Sequence, residues 1–297
     1  MATPLHNDHV QSYWNDGFLF PIRVMEYDQA IDYRRQLEKH EAQFSATGES
    51  SIQLNRPFSE YKRVQSSVVM PMAAEMALQP AVLDAVESII GPNIMVWGAE
   101  FFIKEANTPD RVSMHQDLTY WGFGETSNQV TAWIALSPST LQSGCMDLVK
   151  ASHKNSILPH KDTYADDNML SRGQEVEVHV NDDERTHVEL QPGEMSLHHG
   201  LSIHGSQPNQ SDDRRIGFAI RYINPDAQQL GAHRVHAMMA RGVDRSEAFI
   251  HYAPPASLFH PTSLELYEEI RDHQAKTLGA GMDKSKSLFN HSSGSRQ

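Results

Sequence analysis

The sequence predicts a mainly β protein with flanking helices, whose core is a double-stranded β-helix, or jelly roll. Residues 93–225 contain short segments rich in β-branched and aromatic residues, separated by turns of Gly, Pro, Asn and Asp. This pattern is typical of an antiparallel barrel or of two stacked sheets. Residues 1–92 and 226–280 are interpreted as mainly helical. We expect these helices to pack outside the β core.

Six short segments of the central region are predicted to be strands, and three segments outside it are predicted to be helices. The helices cover residues 27–44, 73–90 and 262–278. The last one starts with a capping-box pattern, with Thr262 as the N-cap and Glu265 three residues later, and it ends at Gly279. The strands cover residues 93–104, 129–136, 175–180, 188–190, 195–199 and 215–223.

The composition is that of a globular protein. Of the 297 residues, 39% are hydrophobic and 21% are charged. We expect one domain, with a helical part to about residue 92, the jelly-roll core to about 225, a helical extension to about 280 and a polar tail to 297. The net charge of −13, without a basic patch, argues against a nucleic-acid partner.

Cysteine content and hydropathy indicate the compartment. The single cysteine, Cys145, cannot form an internal disulfide, and the first residues lack the basic start and apolar run of a signal peptide. No apolar run approaches the roughly 18 residues needed to span a bilayer. We therefore expect a cytoplasmic protein that acts on a small molecule and not at a membrane. The sequence does not indicate its oligomeric state.

The segment MHQDLTYWGF, residues 114–123, places His115 and Asp117 two positions apart. On a β-strand these side chains project to the same side, so that both can bind one ion. The alternative is a surface His-x-Asp in a loop. His204, one of 17 histidines, offers a third ligand before a loop of Gly, Ser, Pro and Asn. Two histidines and one carboxylate with open positions are the arrangement expected of non-haem Fe(II) oxygenases.

The strand after that loop begins with Arg215. Arg215, Gly217, Ala219 and Arg221 share one of its faces. An arginine followed by two small residues forms a slot, which suits a dicarboxylate whose far end chelates a metal. The alternative is that the small residues only permit tight sheet packing and that Arg215 is a surface charge.

The blocks MHQDLTYW and HGSQPNQSDDRR are similar to motifs of the phytanoyl-CoA dioxygenase family of Fe(II)/2-oxoglutarate-dependent oxygenases, which have a cupin-like jelly-roll fold. The likeness runs over residues 18–225. It implies that His115, Asp117 and His204 bind iron. It also implies that Arg215, eleven positions after His204, holds the far carboxylate of 2-oxoglutarate.

The resemblance assigns roles to further residues around this centre. Ser206 resembles a hydroxyl that assists the arginine, Asn209 and Ser211 shape the turn, and Trp121 matches an aromatic residue that lines the cosubstrate pocket. Residues 130–154 look like the strand, Gly turn and Ala-Ser-His ending of the family. Candidate residues for the cosubstrate or substrate pocket are Thr131, Trp133, Tyr120, His199, Arg221 and Lys104, although Lys104 is equally explained as a solvated lysine at a strand end.

The resemblance implies an enzyme that uses Fe(II), O₂ and 2-oxoglutarate, releases succinate and CO₂, and hydroxylates a C–H bond. Because Asp117 is intact, hydroxylation is expected rather than the halogenation of relatives that have a small residue there; desaturation and ring closure are alternatives. Residues 162–174 are polar and are expected to form a mobile cover.

The expected substrate is a small polar metabolite, such as an aminoalkylphosphonate or an amino-acid-like compound, with Arg221 contacting an anionic group. The acidic chain and its lack of a basic patch argue against a CoA thioester. One alternative is an oxygenase of a hydrophobic secondary metabolite or acyl compound. Two others are a zinc hydrolase, which would not require the Arg215 slot, and a non-catalytic jelly-roll binding protein.

Overall fold

The computed structural model describes residues 4–45, 52–231 and 234–278. Its α-helices are α1 (Asn7–Asp16), α2 (Tyr27–Gln43), α3 (Phe58–Arg63), α4 (Ser66–Val69), α5 (Pro71–Ala77), α6 (Pro80–Ile90) and α7 (Pro261–Leu278). Its strands are β1 (Phe18–Arg23), β2 (Ile94–Lys104), β3 (Val112–His115), β4 (Gln129–Ala135), β5 (Met146–Val149), β6 (His160–Asp162), β7 (Gln174–Val176), β8 (Arg185–Val188), β9 (Glu194–His198), β10 (His204–Ser206), β11 (Arg215–Ile223), β12 (His236–Arg241) and β13 (Ile250–Tyr252).

Two mainly antiparallel sheets pack on each other. The larger has seven strands in the order β1-β9-β4-β11-β2-β12-β13, and the smaller has four in the order β3-β10-β5-β8. Trp133, Ala135 and Ala219 of the larger sheet pack with Met146 and Leu148 of the smaller one. This two-sheet arrangement with flanking helices confirms the predicted jelly roll.

β11 is central to the larger sheet and has two chemically different faces. Ile216, Phe218 and Ile220 are fully buried in the core that the sheet shares with the helices. Arg215 and Ala219 point the other way, into the space between the sheets. The alternation of inward and outward side chains predicted from the sequence therefore agrees with the structure of β11.

The helices cover the outer face of the larger sheet. On α6, Val82, Val86 and Ile89 are buried at the three- and four-residue spacing of one helical face. Tyr267 of α7 is fully buried in the same core. This layer leaves the inner face of the sheet free to carry polar side chains.

The predicted helical regions contain strands as well. β1 lies in the N-terminal part and pairs antiparallel with β9, and Pro21 in it is tolerated because β1 is an edge strand. β12 and β13 extend the larger sheet within the predicted C-terminal helical extension. The sequence HAMMAR of β12 consists mostly of good helix formers, so that pairing with β2 overrides local preference.

Several predicted boundaries are wrong. The helix expected over residues 73–90 is two helices, because Pro80 lacks an N–H and starts a new one. The strands expected at 175–180 and 188–190 occur at Gln174–Val176 and Arg185–Val188. The last helix starts at Pro261, so that Thr262 lies inside it rather than at the N-cap. Gly279 and the tail to residue 297 lie outside the described residues.

Within the described ranges, no helix combines the length and the apolar character needed to cross a bilayer.

Candidate active site

Strand pairing brings three of the candidate ligands together. β10 pairs antiparallel with β3, and His204 lies opposite His115 with their ring centroids 4.2 Å apart. β3 ends at His115, Gln116 stays extended, and a 3₁₀ turn begins at Asp117. Asp117 Oδ1 lies 3.4 Å from His115 Nε2, and Asp117 Oδ2 lies 3.9 Å from His204 Nε2. All three residues are buried.

Backbone carbonyls determine which ring nitrogens are available. His115 Nδ1 lies 2.9 Å from the carbonyl oxygen of Ser113, and His204 Nδ1 lies 3.0 Å from that of Ser202. Because a carbonyl only accepts, each Nδ1 carries the proton and each Nε2 presents its lone pair. Both Nε2 atoms face Asp117, so that the three side chains can ligate one metal ion.

The protonation states also suit a cation. Burial, and next the neighbouring His115, lower the pKa of His204 well below its ordinary value, so that the ring is neutral at pH 7. Burial alone would raise the pKa of Asp117, but contacts with His204 and His115 hold it well below the usual range. The set therefore offers two imidazole nitrogens and one carboxylate, a donor set that fits Fe(II).

An inner cavity between the sheets extends from these ligands to Arg215. Arg215 is 2% exposed, and its Nη1 donates a hydrogen bond to the carbonyl of Gly144. Its guanidinium lies 5.2 Å from the ring centroid of Trp133. A Cβ at Gly217 would lie 1.8 Å from Trp133 Cζ2, so that only glycine allows this ring beside the arginine. Thr131 and Ala219 also line the cavity.

Lys104 lies directly opposite Arg215 in the register of β2 and β11 and is fully buried. Its Nζ donates hydrogen bonds to Ser206 Oγ, at 2.7 Å, and to the carbonyl of Gln207. Burial, and next the charge of Arg215, lower the pKa of Lys104 to about 6. The interpretation as a solvated lysine is therefore wrong, and Lys104 belongs to the Arg215 end rather than to the substrate side.

The buried Arg215 and the adjacent buried Lys104 together could hold an anion. Within the described ranges, neither Lys104 nor Arg215 has an ion pair with an acidic side chain. Burying charges without partners is costly, so that a carboxylate ligand at this end would be favoured.

The Asn209 amide bonds the carbonyls of Glu105 and Asp213, and Ser211 bonds Asn209, which makes these two residues part of the turn.

His198 is a residue of this site that sequence reasoning missed. It is 2% exposed, lines the inner cavity, and lies across from Thr131 in the β9–β4 register. Its Nε2 lies 3.8 Å from Asp117 Oδ2, and neither ring nitrogen has a hydrogen-bond partner among the residues described. The β9–β4 register, which places Ser196 opposite Trp133 and His198 opposite Thr131, decides this orientation.

His199, the neighbouring candidate, does not face either cavity. Its ring packs against Trp14 and His153, with centroids 6.3 and 5.4 Å away, and its Nδ1 accepts a hydrogen bond from the amide of Leu201. Burial lowers the pKa of His199 to about 4. The proposed pocket role of His199 is therefore wrong, because the side chains of consecutive residues point to opposite sides.

An outer cavity begins at the metal ligands and opens between the β core and the helices. His115 and Asp117 line both cavities, so that the metal centre lies at their junction. Trp121 lines only the outer cavity, where it contacts Trp97 with centroids 5.1 Å apart. The place of Trp121 in the cosubstrate pocket, which the resemblance implies, stays a prediction, and the chain turns away from the inner cavity after Asp117.

The wall of the outer cavity comes from loops and helices as well as strands. Arg221 forms an ion pair with Glu100 and lies over Trp121, with its guanidinium carbon 5.0 Å from the ring centroid. Tyr120 is part of the wall, and Arg172 lies over its ring at 5.4 Å. The segment predicted to be a cover, residues 162–174, and helix α7 complete it with Met169, Leu170, Ser171, Gln174, Ile270, His273, Gln274 and Thr277.

The fold and the site together define a jelly-roll protein with a 2-His-1-carboxylate metal centre. The model of the phytanoyl-CoA dioxygenase (PhyH) family matches residues 13–217. The chain belongs to the phytanoyl-CoA dioxygenase family, as its two motif blocks predicted.

Individual relatives agree with this membership. The chain is 28% identical over 170 residues to a probable phytanoyl-CoA dioxygenase of Caenorhabditis elegans, covering 55% of this chain and 54% of that protein. It is 28% identical over 153 residues to a probable alpha-ketoglutarate-dependent hypophosphite dioxygenase of Stutzerimonas stutzeri, covering 50% and 52%. The chain thus spans about half the length of these curated relatives.

Solved structures match over a larger share of the chain. The apo form of the non-heme monooxygenase ThoJ superposes with a TM-score of 0.80 and 28% identity, covering 92% of this chain and 98% of that one. ThoJ in complex with nickel gives a TM-score of 0.74 with 26% identity, covering 92% and 99%.

Proposed function

We propose that the protein is an Fe(II)/2-oxoglutarate-dependent dioxygenase that hydroxylates a C–H bond of a small anionic metabolite. One observation carries the proposal: a single inner cavity is lined both by the three metal ligands and by the buried Arg215, with the buried Lys104 next to Arg215 in the β2–β11 register. 2-Oxoglutarate has a keto acid for the metal ligands and a carboxylate for Arg215 and Lys104. Bound Fe(II) with O₂ would supply the oxidising chemistry, releasing succinate and CO₂.

The residues of the chain would bind the metal and the cosubstrate, orient them and exclude water. His115, Asp117 and His204 would hold the metal, and Arg215 with Lys104 would fix the far carboxylate through charge-assisted hydrogen bonds. Ser206 would orient Lys104, to which it is bonded. A zinc hydrolase would have no use for the Arg215–Lys104 end, and a binding module would have no use for an intact ligand triad.

The test is an anaerobic titration of metal-free protein with Fe(II) and 2-oxoglutarate. A visible charge-transfer band of the chelated metal supports the proposal. A folded protein that binds Fe(II) but does not form that band when 2-oxoglutarate is added would overturn it. With O₂, stoichiometric succinate release then reports turnover.

Lys104 makes the binding of 2-oxoglutarate depend on pH. With its pKa lowered to about 6, Lys104 is mostly neutral at pH 7 in the free protein. A carboxylate ligand favours the protonated form, so that binding takes up a proton. We expect the affinity to weaken as pH rises from 6 to 8.5, by up to about tenfold per pH unit.

The pH effect is measured as the dissociation constant of 2-oxoglutarate across that range. Calorimetry in two buffers of different ionisation enthalpy measures the proton uptake. In a Lys104→Met variant the affinity should be weaker and nearly independent of pH. A wild-type affinity that does not change with pH would show that Lys104 is not a carboxylate ligand.

His198 is expected to donate a hydrogen bond to the metal-bound end of the cosubstrate. Its two unpartnered ring nitrogens would otherwise remain buried at a cost of about 1–3 kcal/mol each. His198→Leu should weaken 2-oxoglutarate binding by about tenfold or more and shift the visible band, while the affinity for metal alone is retained. His198→Gln, which keeps an N–H near the position of Nε2, should restore both. Wild-type affinity and spectrum in a folded His198→Leu protein would contradict this role.

Charge in the outer cavity supports an anionic substrate. Among its described lining residues are the guanidinium groups of Arg63, Arg221 and Arg234, whereas the acidic ones are Glu100 and the metal ligand Asp117. Trp97 and Trp121 provide apolar surface beside Arg221. A phosphonate or an amino-acid-like compound meets these requirements, and the relative from Stutzerimonas stutzeri is named for a phosphorus oxyanion.

Arg221 lines both cavities, and Arg221→Gln is expected to raise the KM for an anionic substrate by about tenfold or more. Glu100→Gln is the matched control, because it removes the other half of the same ion pair and leaves the cavity more positive. The effects of both substitutions are measured as succinate release stimulated by each compound of a panel of phosphonates, carboxylates and fatty acyl compounds. Stimulation by neutral acyl compounds alone, unaffected by Arg221→Gln, would contradict the substrate class.

A further inference from the structure

A second group of potential metal ligands lies at the wall of the outer cavity. His236 is the first residue of β12, and Glu269 and His273 lie one turn apart on α7. One ligand atom from each residue lies within 4.8 Å of the others. His236 and His273 line the outer cavity. None of the three is needed for the proposed oxygenase chemistry.

The His236–Glu269 distance in this group matches that between neighbouring ligand atoms of a coordination sphere. His236 Nε2 lies 3.4 Å from Glu269 Oε1, the same separation as between His115 Nε2 and Asp117 Oδ1 in the first triad. Around a tetrahedral zinc ion with bonds of about 2.0–2.2 Å, neighbouring ligand atoms lie roughly 3.4 Å apart. The distance is too long for a good direct hydrogen bond, which has a donor–acceptor distance of about 2.7–3.2 Å.

His236 is buried, with 4% of the residue exposed, and it approaches Glu269 through Nε2 without a close hydrogen bond. By contrast, His187 in the group Cys145, Asp147 and His187 bonds Asp147 directly at 2.7 Å, so that this contact is explained without a metal.

We propose that His236, Glu269 and His273 form a second metal site, which takes zinc and leaves a coordination position open to the outer cavity. Two imidazoles and one carboxylate are a zinc donor set in which the fourth position accepts water or another ligand. The ion would link α7 to β12. It would also add positive charge to the wall on which an anionic substrate is expected to bind.

The test is zinc stoichiometry of the full-length, tag-free protein after all metal has been removed. Wild-type protein should bind two equivalents tightly, one at each triad. His115→Ala should bind one, at the second site, and His115→Ala combined with Glu269→Gln should bind none tightly, with an affinity reduced at least about 100-fold. Because the first site is broken in both variants, the result does not depend on whether the protein is an oxygenase.

Melting temperature gives an independent measurement of the same site. Zinc should raise the Tm of His115→Ala but not that of His115→Ala with Glu269→Gln or with His273→Ala. His115→Ala with His187→Ala is the control, since it removes a histidine of the Asp147 group and should keep one equivalent. A folded His115→Ala protein that binds no zinc tightly, or variants of Glu269 and His273 in that background that keep the equivalent, would overturn the proposal.

Discussion

Replacing Asp117 with alanine is expected to reduce the affinity for Fe(II) by more than about 100-fold and to abolish succinate release. Losing partners that merely orient ligands already costs 10–100-fold in comparable sites, and Asp117 faces both histidines directly. The measurement is the anaerobic titration with Fe(II) and 2-oxoglutarate, in which the visible band should not form at metal concentrations that saturate the wild type.

Asp244→Asn is the matched control for this experiment. Asp244 also bonds a histidine, His251, at 2.8 Å, but it lines neither cavity. The Asp244→Asn protein should keep the affinity and the band of the wild type. A normal band in Asp117→Ala would show that the metal is bound elsewhere, and the assignment of the triad would then be wrong.

Replacing Arg215 with methionine is expected to weaken 2-oxoglutarate binding by at least about 100-fold. The guanidinium group of Arg215 can donate two hydrogen bonds to one carboxylate, each worth about 1.5–3 kcal/mol when charge-assisted. Because Arg215 is not one of the metal ligands, affinity for metal alone should stay at the wild-type level. The dissociation constant from the same titration, with and without cosubstrate, separates the two effects.

Arg214→Met provides the comparison, since it changes the same residue type one position earlier. Arg214 points away from the inner cavity and bonds Glu41 at 2.7 Å and Glu105 at 2.8 Å. We expect Arg214→Met to cost some stability and to leave cosubstrate affinity unchanged. Equal losses of cosubstrate affinity in both variants would mean that Arg215 acts through folding rather than through contact.

Sequence patterns predicted the faces of β11 and the meeting of two metal ligands because both depend on residues close together in the chain. The two-residue period of β11 assigned Arg215 to the inner face and Phe218 to the core, and both side chains lie there. The spacing of His115 and Asp117 predicted that they would meet, although the strand ends between them. Turn residues in the sequence located most of the predicted strand ends to within a few positions.

The residue positions that the sequence did not predict are those that depend on tertiary contacts. Trp121 lies six residues after a ligand, yet a 3₁₀ turn directs it to the outer cavity, and nothing in the local pattern shows that turn. His198 and His199 could not be ranked without knowing where β9 ends. Lys104 looked like a strand-end lysine until the register placed it opposite Arg215. The strands β1 and β12 depend on partners more than 100 residues away.

The inner and outer cavities are built from different kinds of structure. Strands of the two sheets hold the metal ligands and Arg215, and backbone pairing fixes them relative to one another. Part of the outer wall consists of α7 and residues 162–174, which belong to neither of the two large sheets. Loop and helix replacements there should therefore change which compound reacts without changing the reaction. The chain is in this sense a modular scaffold, in which selectivity and chemistry can evolve separately.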